Sequence, residues 1–237
     1  MDVLHLDNHL LVVAKPAGLL AQADRTGDPD LVSAAKAYLK ARFERPGDVF
    51  VGLVHRLDRP VSGVVVLART SKAAGRLAEA FRERHVEKRY LALVEGHVRG
   101  KGEREDWLVK EDERVRRVRP GYPGAKRAAL RWHALASDGD TSLVDVDLLT
   151  GRPHQARVQL AALGAPILGD LRYGARRPFE GQNLALHCYG LAFEHPVRRE
   201  PLRFVAAPPP AWAGWFEGAI REAVDSFQEG GFSAFSG

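Results

Sequence analysis

Val54-His55-Arg56-Leu57-Asp58-Arg59-Pro60-Val61-Ser62-Gly63-Val64-Val65-Val66-Leu67-Ala68 is the stretch from which the rest of the chain is read. A polar, basic knot (residues 55–60) runs into small residues at Ser62-Gly63, read as a turn, and then into an unbroken β-branched run. Continuous Val and Leu without polar alternation is the pattern of a strand buried on both faces. The sequence therefore predicts a charged loop on the lip of a core strand. Asp58 stands between Arg56 and Arg59, and cations beside a carboxylate favour its charged form. Two readings fit such a residue: a nucleophile or base, or one member of a surface ion-pair cluster that contributes little.

Outward from this point, the amino-terminal side reads as a hairpin. Val3–Leu6 and Leu10–Ala14 flank a turn at Asp7-Asn8-His9, and Lys15-Pro16-Ala17-Gly18 then breaks the pattern. A helix is predicted from Asp30, capped by Asp28 or Asp30. Leu31, Ala34, Ala35, Tyr38 and Leu39 would face inward, and Pro46-Gly47 would end it. On the carboxyl side, Thr70 or Ser71 caps a second helix with Ala74, Leu77, Ala78 and Phe81 inward. Arg76, Arg82, Arg84, His85, Lys88 and Arg89 decorate its exposed side and exit, as a solvated face or a phosphate track. Lys88–Gly96 reads as a strand closed by glycine. Residues 97–125 form a charged excursion with strand-like pieces at 107–109 and 115–118. Its arginines are partly offset by Glu111, Asp112 and Glu113, which favours an exposed hairpin whose charges discourage edge pairing over a second phosphate-contacting surface. Two strands follow at about 128–136 and 142–149, joined at Asp138-Gly139-Asp140.

Leu149-Thr150-Gly151-Arg152-Pro153-His154-Gln155-Ala156-Arg157-Val158-Gln159-Leu160 comes next. Pro153 suits the first turn of a helix and Gly164 its end. Ala156, Leu160 and Leu163 form an inward stripe, and His154 and Arg157 share another face at i, i+3 spacing. A strand from Leu186-His187 toward His195-Pro196 and a last helix at about 210–225 complete the reading. The segment 226–237, rich in Gly, Ser and Phe, is expected to be loose.

The 237 residues carry a net charge of +5 with a pI near 9.5, and arginine greatly outnumbers lysine. Guanidinium suits phosphate recognition, so a polyanionic partner is favoured, although arginine-rich composition also arises from a GC-rich genome. Cys188 stands alone, which excludes a disulfide framework or a cysteine zinc site. No apolar run approaches membrane-spanning length and the first residues lack a basic signal-peptide start, so a cytoplasmic location is expected.

Taken together, the blocks resemble a known family. HRLDRPVSG is similar to the HRLDxxTSG signature of the RluA-type pseudouridine synthases. Lys88–Gly96 resembles that family's KxYxALVxG block, Thr150–Gln159 its TGRxHQIRxH block, and LDNHLLVVAKPAG its opening block. Gly164–Asp170 with Tyr173-Gly174, and Leu186-His187 to His195-Pro196, match as well, so the resemblance runs from about residue 3 to 205. It implies an α+β pseudouridine synthase fold: a mixed, largely antiparallel bent sheet flanked by helices, with a central RNA-binding cleft. One catalytic domain over 1–225 is expected.

The resemblance further implies that the enzyme isomerises uridine in rRNA or tRNA. Asp58 would be the catalytic residue, Tyr90 would contact the target base, and Arg157 would pair with Asp58. Arg56 would help fill the space left by the flipped base. RNA contacts are expected from His55, Arg56, Arg59, Lys88, Arg89, Arg152 and His154. No group or electron transfer occurs in the isomerisation, so neither cofactor nor metal is expected. His55, His154 and His187 lie in separate blocks without ligand spacing. No obligate protein partner is evident, and a monomer is expected.

The sequence departs from the pattern at Val61 (usually Thr), Leu130 (commonly Thr) and Gln159 (commonly His), which bears on substrate fit. It begins at the opening block, so the amino-terminal S4 domain of many relatives is not expected. A non-catalytic RNA-binding module of the same fold is a second reading. A glycosidic-bond hydrolase is a third, but it needs a second positioned carboxylate, and no Asp or Glu lies beside His154–Arg157.

Overall fold

A computed structural model of the chain describes residues 1–44, 46–112 and 114–230. The expected turn at Ser62-Gly63 is instead the start of a strand, β4 (Ser62–Ala68), and every residue of it is buried. Its side chains alternate between two cores. Val64 and Val66 pack into one with Leu10, Val12, Ala73 and Leu77, while Val65 and Leu67 pack into the other with Leu31, Ala35 and Leu39. That double burial is why the run has no polar alternation. Gly63 cannot be replaced there: a Cβ on it would lie 2.2 Å from the carbonyl oxygen of Cys188, and its φ is +129°.

The described residues form one eleven-stranded sheet. In chain order the strands are β1 (Asp2–Leu6), β2 (Leu10–Lys15), β3 (Gly52–Leu53), β4, β5 (Glu87–Glu95), β6 (Lys101–Glu111), β7 (Arg114–Val118), β8 (Lys126–Ser137), β9 (Thr141–Leu148), β10 (Leu186–Glu194) and β11 (Pro201–Val205). Their spatial order is β1-β2-β4-β10-β5-β9-β8-β6-β7, with β3 added to β4 and β11 to β10. Among the strands of the described residues, β4 and β10 are the one parallel pair, meeting at Ser62–His187 and Gly63–Cys188. The pair joins strands β1–β4 to strands β5–β11 at the strand start that follows the 55–60 loop, and the close approach of Gly63 allows it.

Local signals set the helix starts. Asp30 caps α1 (Leu31–Arg42) by accepting from Ser33 N at 3.1 Å, and Thr70 caps α2 (Ser71–Arg82) by accepting from Ala73 N at 3.2 Å. The ends and faces differ from the sequence reading. α1 stops at Arg42, before Pro46-Gly47, and Ala34 is exposed; Ala78 of α2 is also exposed, with Ala73 buried in its stead. α3 (Gln155–Ala161) begins two residues after Pro153. It is enclosed on nearly every side, because Ala156 and Leu160 enter the main core while Val158 packs against Leu108, Val115 and Ala128 of the β6–β8 strands. Leu163 lies past its end and is 38% exposed.

The strand-like piece at 107–109 lies in the second half of the longer β6, whose residues 101–108 pair with β8. The final helix is also displaced: a short 3₁₀ turn covers Pro210–Trp212, and α4 spans Glu217–Glu229. Residues 226–229, expected to be loose, are helical because buried Phe227 packs edge-on against Tyr189. The rest of that segment, 231–237, lies outside the described residues.

Candidate active site

The 54–61 loop is held by carbonyl contacts rather than by its own hydrogen bonds alone. Val61 N closes onto Asp58 O at 3.0 Å, Gly18 N donates to Arg59 O at 2.8 Å, and Leu184 N donates to Pro60 O at 3.1 Å. Lys15, 1% exposed, completes the clamp. Its ammonium donates to the carbonyls of Pro16 (3.0 Å), Leu19 (2.8 Å) and Arg59 (3.2 Å). Burial pushes Lys15 down to about 7, against the opposing charge of Asp58. The Lys-Pro-Ala-Gly loop thus serves as the floor on which the Asp58 loop rests. Leu57 points into the core, which leaves Arg56 and Arg59 outward and Asp58 on the rim of a cleft of about 1320 Å³.

Arg157 reaches Asp58 from α3, 99 residues further along the chain, with Nη1 donating to Oδ2 at 3.3 Å. Its other face grips a second carboxylate. Nε and Nη2 donate to the two oxygens of Asp170 at 2.7 and 2.9 Å, and the Asp170 side chain is only 1% exposed. Burial disfavours the guanidinium charge, but Asp170 and Asp58 outweigh it and raise the Arg157 pKa. Asp170 was not among the residues singled out from sequence, and the expectation that no acid lies near His154–Arg157 is corrected here. The fork geometry saturates Asp170 from one side and the fold seals it from the other, so it orients Arg157 and offers no free carboxylate. The available signal was the Gly-Asp pair at 169–170. Gly169 has φ +86°, and a Cβ there would meet Asn183 O at 2.4 Å, so the backbone passes too close for any other residue.

Tyr90, 7% exposed, faces the same cleft from β5. Burial, together with the adjoining Cys188 and Asp58, raises its phenol well above the usual value, so it stays a neutral ring with an O–H. Lys88 is on the same side of the strand, and its Nζ would lie 3.4 Å from a Cβ on Gly151. Arg84 and Arg152 gather with it at the cleft wall. Burial lowers both Lys88 and Arg152, and Arg84 adds to the lowering of each. Among the described residues no ion pair neutralises Arg84, Lys88 or Arg152. Arg152 instead donates from Nε to Arg127 O at 2.9 Å.

Two expected RNA contacts are placed differently. Arg89 lies on the opposite face of β5 from Lys88 and Tyr90, as strand alternation requires. There it is bound to the Asp145 carboxylate, with Nε 3.2 Å from Oδ1. His55 lines the cleft, but its Nε2 accepts Val66 N–H at 3.0 Å and its ring stacks on Phe81 at 4.4 Å. Burial pushes it down to about 3, so it remains neutral and serves as a wall. Arg59 sits at the rim, paired to Asp28 at 2.7 Å and to Gly18 O at 3.1 Å. Arg56 is exposed along the same wall.

His154, immediately before α3, brings Nε2 to 3.8 Å from Asp58 Oδ2. It is therefore a neighbour of the carboxylate rather than a peripheral contact. His187 is placed apart and is structural: Ser62 Oγ meets its Nδ1 at 2.8 Å, and its Nε2 meets Ala206 O at 2.9 Å. Among the described residues no group of three or more His, Cys, Asp or Glu side chains has an arrangement suited to a metal ion.

Comparison with known proteins points to one family. A sequence profile described as RNA pseudouridylate synthase matches residues 9–162. The dual-specificity RNA pseudouridine synthase RluA of Pasteurella multocida is 35% identical over 211 residues, covering 88% of this chain and 93% of that protein. The ribosomal large subunit pseudouridine synthase D of Zymomonas mobilis is 32% identical, covering 88% of this chain and 69% of its own. Among solved structures, human RNA pseudouridylate synthase domain containing 4 superposes with a TM-score of 0.75 at 25% identity, covering 94% of this chain and 93% of that one.

Proposed function

The chain belongs to the RluA-type RNA pseudouridine synthases, and from that premise we propose that it converts uridine to pseudouridine in structured rRNA or tRNA with Asp58 as the essential group. The observation that carries this reading is the meeting of Asp58 and Arg157, 99 residues apart in sequence, at 3.3 Å on the rim of a large basic cleft. The isomerisation breaks the N1–C1′ bond of uridine and forms a C5–C1′ bond, with a proton lost from C5 and one gained at N1. It passes no electrons or group to a second molecule, so the proposal needs neither cofactor nor metal.

A base stacked in a stem is out of reach of Asp58, so the uridine is first turned out of the stack, at a cost of about a few kcal/mol. Arg56, exposed on the cleft wall, supports the flipped state. The Tyr90 ring stacks on the uracil, a contact worth roughly 1–3 kcal/mol. Its raised phenol pKa supports a stacking role over that of a base. Arg84, Lys88 and Arg152, none of them held in an ion pair among the described residues, bind phosphates of the flanking nucleotides. Arg157, held by Asp170, keeps Asp58 aimed. RNA is the partner that this reading implies. No helix among the described residues is long and apolar enough to cross a membrane, and a cytoplasmic site of action fits an RNA-modifying enzyme.

Asp58→Asn tests the central assignment. Asn keeps the size and one acceptor oxygen but not the charge. Single-turnover modification should be abolished, while circular dichroism and RNA affinity stay near wild type because binding rests on distributed phosphate contacts. A folded, RNA-binding variant that still makes pseudouridine at the wild-type rate refutes the role of Asp58.

A further inference from the structure

Both neighbours of Asp58 address the same oxygen. Arg157 Nη1 donates to Oδ2 at 3.3 Å, and His154 Nε2 stands 3.8 Å from that atom. Among the described residues no hydrogen bond or ion pair reaches Oδ1. His154 is itself gripped from behind. Its Nδ1 is 2.7 Å from the hydroxyl of Tyr173, and that hydroxyl accepts Val115 N–H from β7 at 3.0 Å. Tyr173 also touches the second neighbour, with the Arg157 guanidinium carbon 5.0 Å from its ring centroid. The histidine backbone sits in the left-handed region, φ 50° and ψ 20°. That conformation is uncommon for a residue with a side chain and is held here by its surroundings.

The hydrogen-bond valences decide the tautomer. A phenol has one proton and two lone pairs. The Val115 N–H occupies one lone pair and leaves the proton to be placed. If Nδ1 donated to the phenol, Nε2 would turn a bare lone pair toward the Asp58 carboxylate, setting two acceptors face to face at 3.8 Å. If the phenol donates to Nδ1, the imidazole proton is on Nε2 and points at Oδ2. We propose that Tyr173 and His154 are positioning residues for Asp58: Tyr173 fixes the Nε2–H tautomer, so that His154 and Arg157 together engage Oδ2 and present Oδ1 to the nucleotide. The Arg157 hydrogen bond and the Nε2–H dipole of His154 both favour Oδ2, which opposes exchange of the two oxygens by rotation and keeps the Oδ1 lone pairs toward the target. At 3.8 Å the histidine contact is electrostatic rather than a hydrogen bond. A neutral imidazole suits the role, and burial lowers the His154 pKa, with Arg157 and Arg172 acting the same way and Asp58 and Asp170 opposing them. The chain of contacts also gives the β6–β7 hairpin a function, since its backbone amide at Val115 is what fixes the Tyr173 oxygen.

This inference rests on Asp58 as the reacting group, and its test separates the two. In enzyme labelled with 15N-histidine, the His154 signal, assigned by its loss in His154→Asn, should report a protonated Nε2 and a bare Nδ1 near neutral pH. Asn is chosen because it tolerates the left-handed backbone. Tyr173→Phe keeps the ring over Arg157 and removes only the hydroxyl. It should shift the Nδ1 resonance and lower single-turnover kcat by about tenfold, leaving RNA affinity within about twofold, since misplacement of a reacting group is felt in the rate. A Nδ1–H tautomer in the wild type overturns the proposal, as does a Tyr173→Phe enzyme with the wild-type rate. If Asp58→Asn remains active, the reading of Asp58 falls on its own evidence, whatever the tautomer proves to be.

Discussion

Asp170→Asn asks how much of the site is organised by a carboxylate that is almost sealed from solvent. In the wild type, Arg157 and Asp170 share two hydrogen bonds at 2.7 and 2.9 Å, with side chains 7% and 1% exposed. Removing one charge of a buried pair costs ~3–5 kcal/mol because its partner is left uncompensated. Two features of this site reduce that figure. The Asn amide oxygen can still accept one of the two N–H bonds, and Asp58, 3.3 Å away, supplies negative charge to the same guanidinium. The expected destabilisation is therefore ~2–3 kcal/mol, at or below the low end of the range. For a chain of this size each kcal/mol lowers Tm by ~2–4 °C, so unfolding should move down by roughly 4–12 °C. The chemistry should lose more than the fold. With Asp170 neutral, Arg157 has one carboxylate left and is drawn toward Asp58, and a displacement of ~1 Å at a reacting group can cost ~100-fold. Calorimetry would read the first effect. Single-turnover release of tritium from C5-labelled uridine in RNA would read the second, with a fall of ~10–100-fold. RNA affinity should not change, because Asp170 is sealed from solvent. An Asn variant that unfolds within about 1 °C of wild type and reacts within about twofold of its rate would show that the buried pair organises nothing.

Neutralising Lys88 and Arg152 together, each to Gln, should flatten the dependence of log affinity on log salt by ~0.7–0.9 per lost phosphate contact, and an unchanged slope would remove both from the RNA surface. Arg56→Ala should slow modification far more on a stable stem-loop than on a flexible strand, which has little stacking to lose; equal slowing points to a role in the fold or the chemistry instead. Lys15, pushed down to about 7 by burial, has a folded pKa below its unfolded value of about 10.4. Between these values the unfolded chain binds a proton that the folded chain has released, so stability from this group rises with pH across the window, by at most ~1.4 kcal/mol per unit. Urea titrations of Lys15→Met from neutral pH to about 9 should show a shallower rise than the wild type, and parallel curves would refute the assignment.

What the sequence determined by itself is what short-range chemistry controls. The Val64–Leu67 run required two apolar faces, and both cores are present on either side of β4. Asp30 and Thr70 announced their helices because a cap is a contact across three residues. Asp7 made its turn legible for the same reason, its carboxylate accepting from His9 N and Leu10 N at 2.7 and 2.8 Å. Asp58, Tyr90 and Arg157 were marked by the family resemblance of their blocks, and the folded chain brings those three to one cleft. The tertiary structure decided the rest, because it depends on what a side chain meets from distant parts of the chain. Arg89 belongs to a run of basic residues in sequence, yet strand parity turns it from the cleft to Asp145. α3 was read as having one inward stripe, but a hairpin covers its other face and buries Val158 as well. Phe227 ties the last helix down through partners far back in the chain, Tyr189 edge-on to its ring and Arg203 over its face. Asp170 enters the sequence reading only as the last residue of a matched block. It becomes the anchor of the site because a buried guanidinium must find its counter-charge wherever the fold delivers one, and that demand is settled by proximity in space.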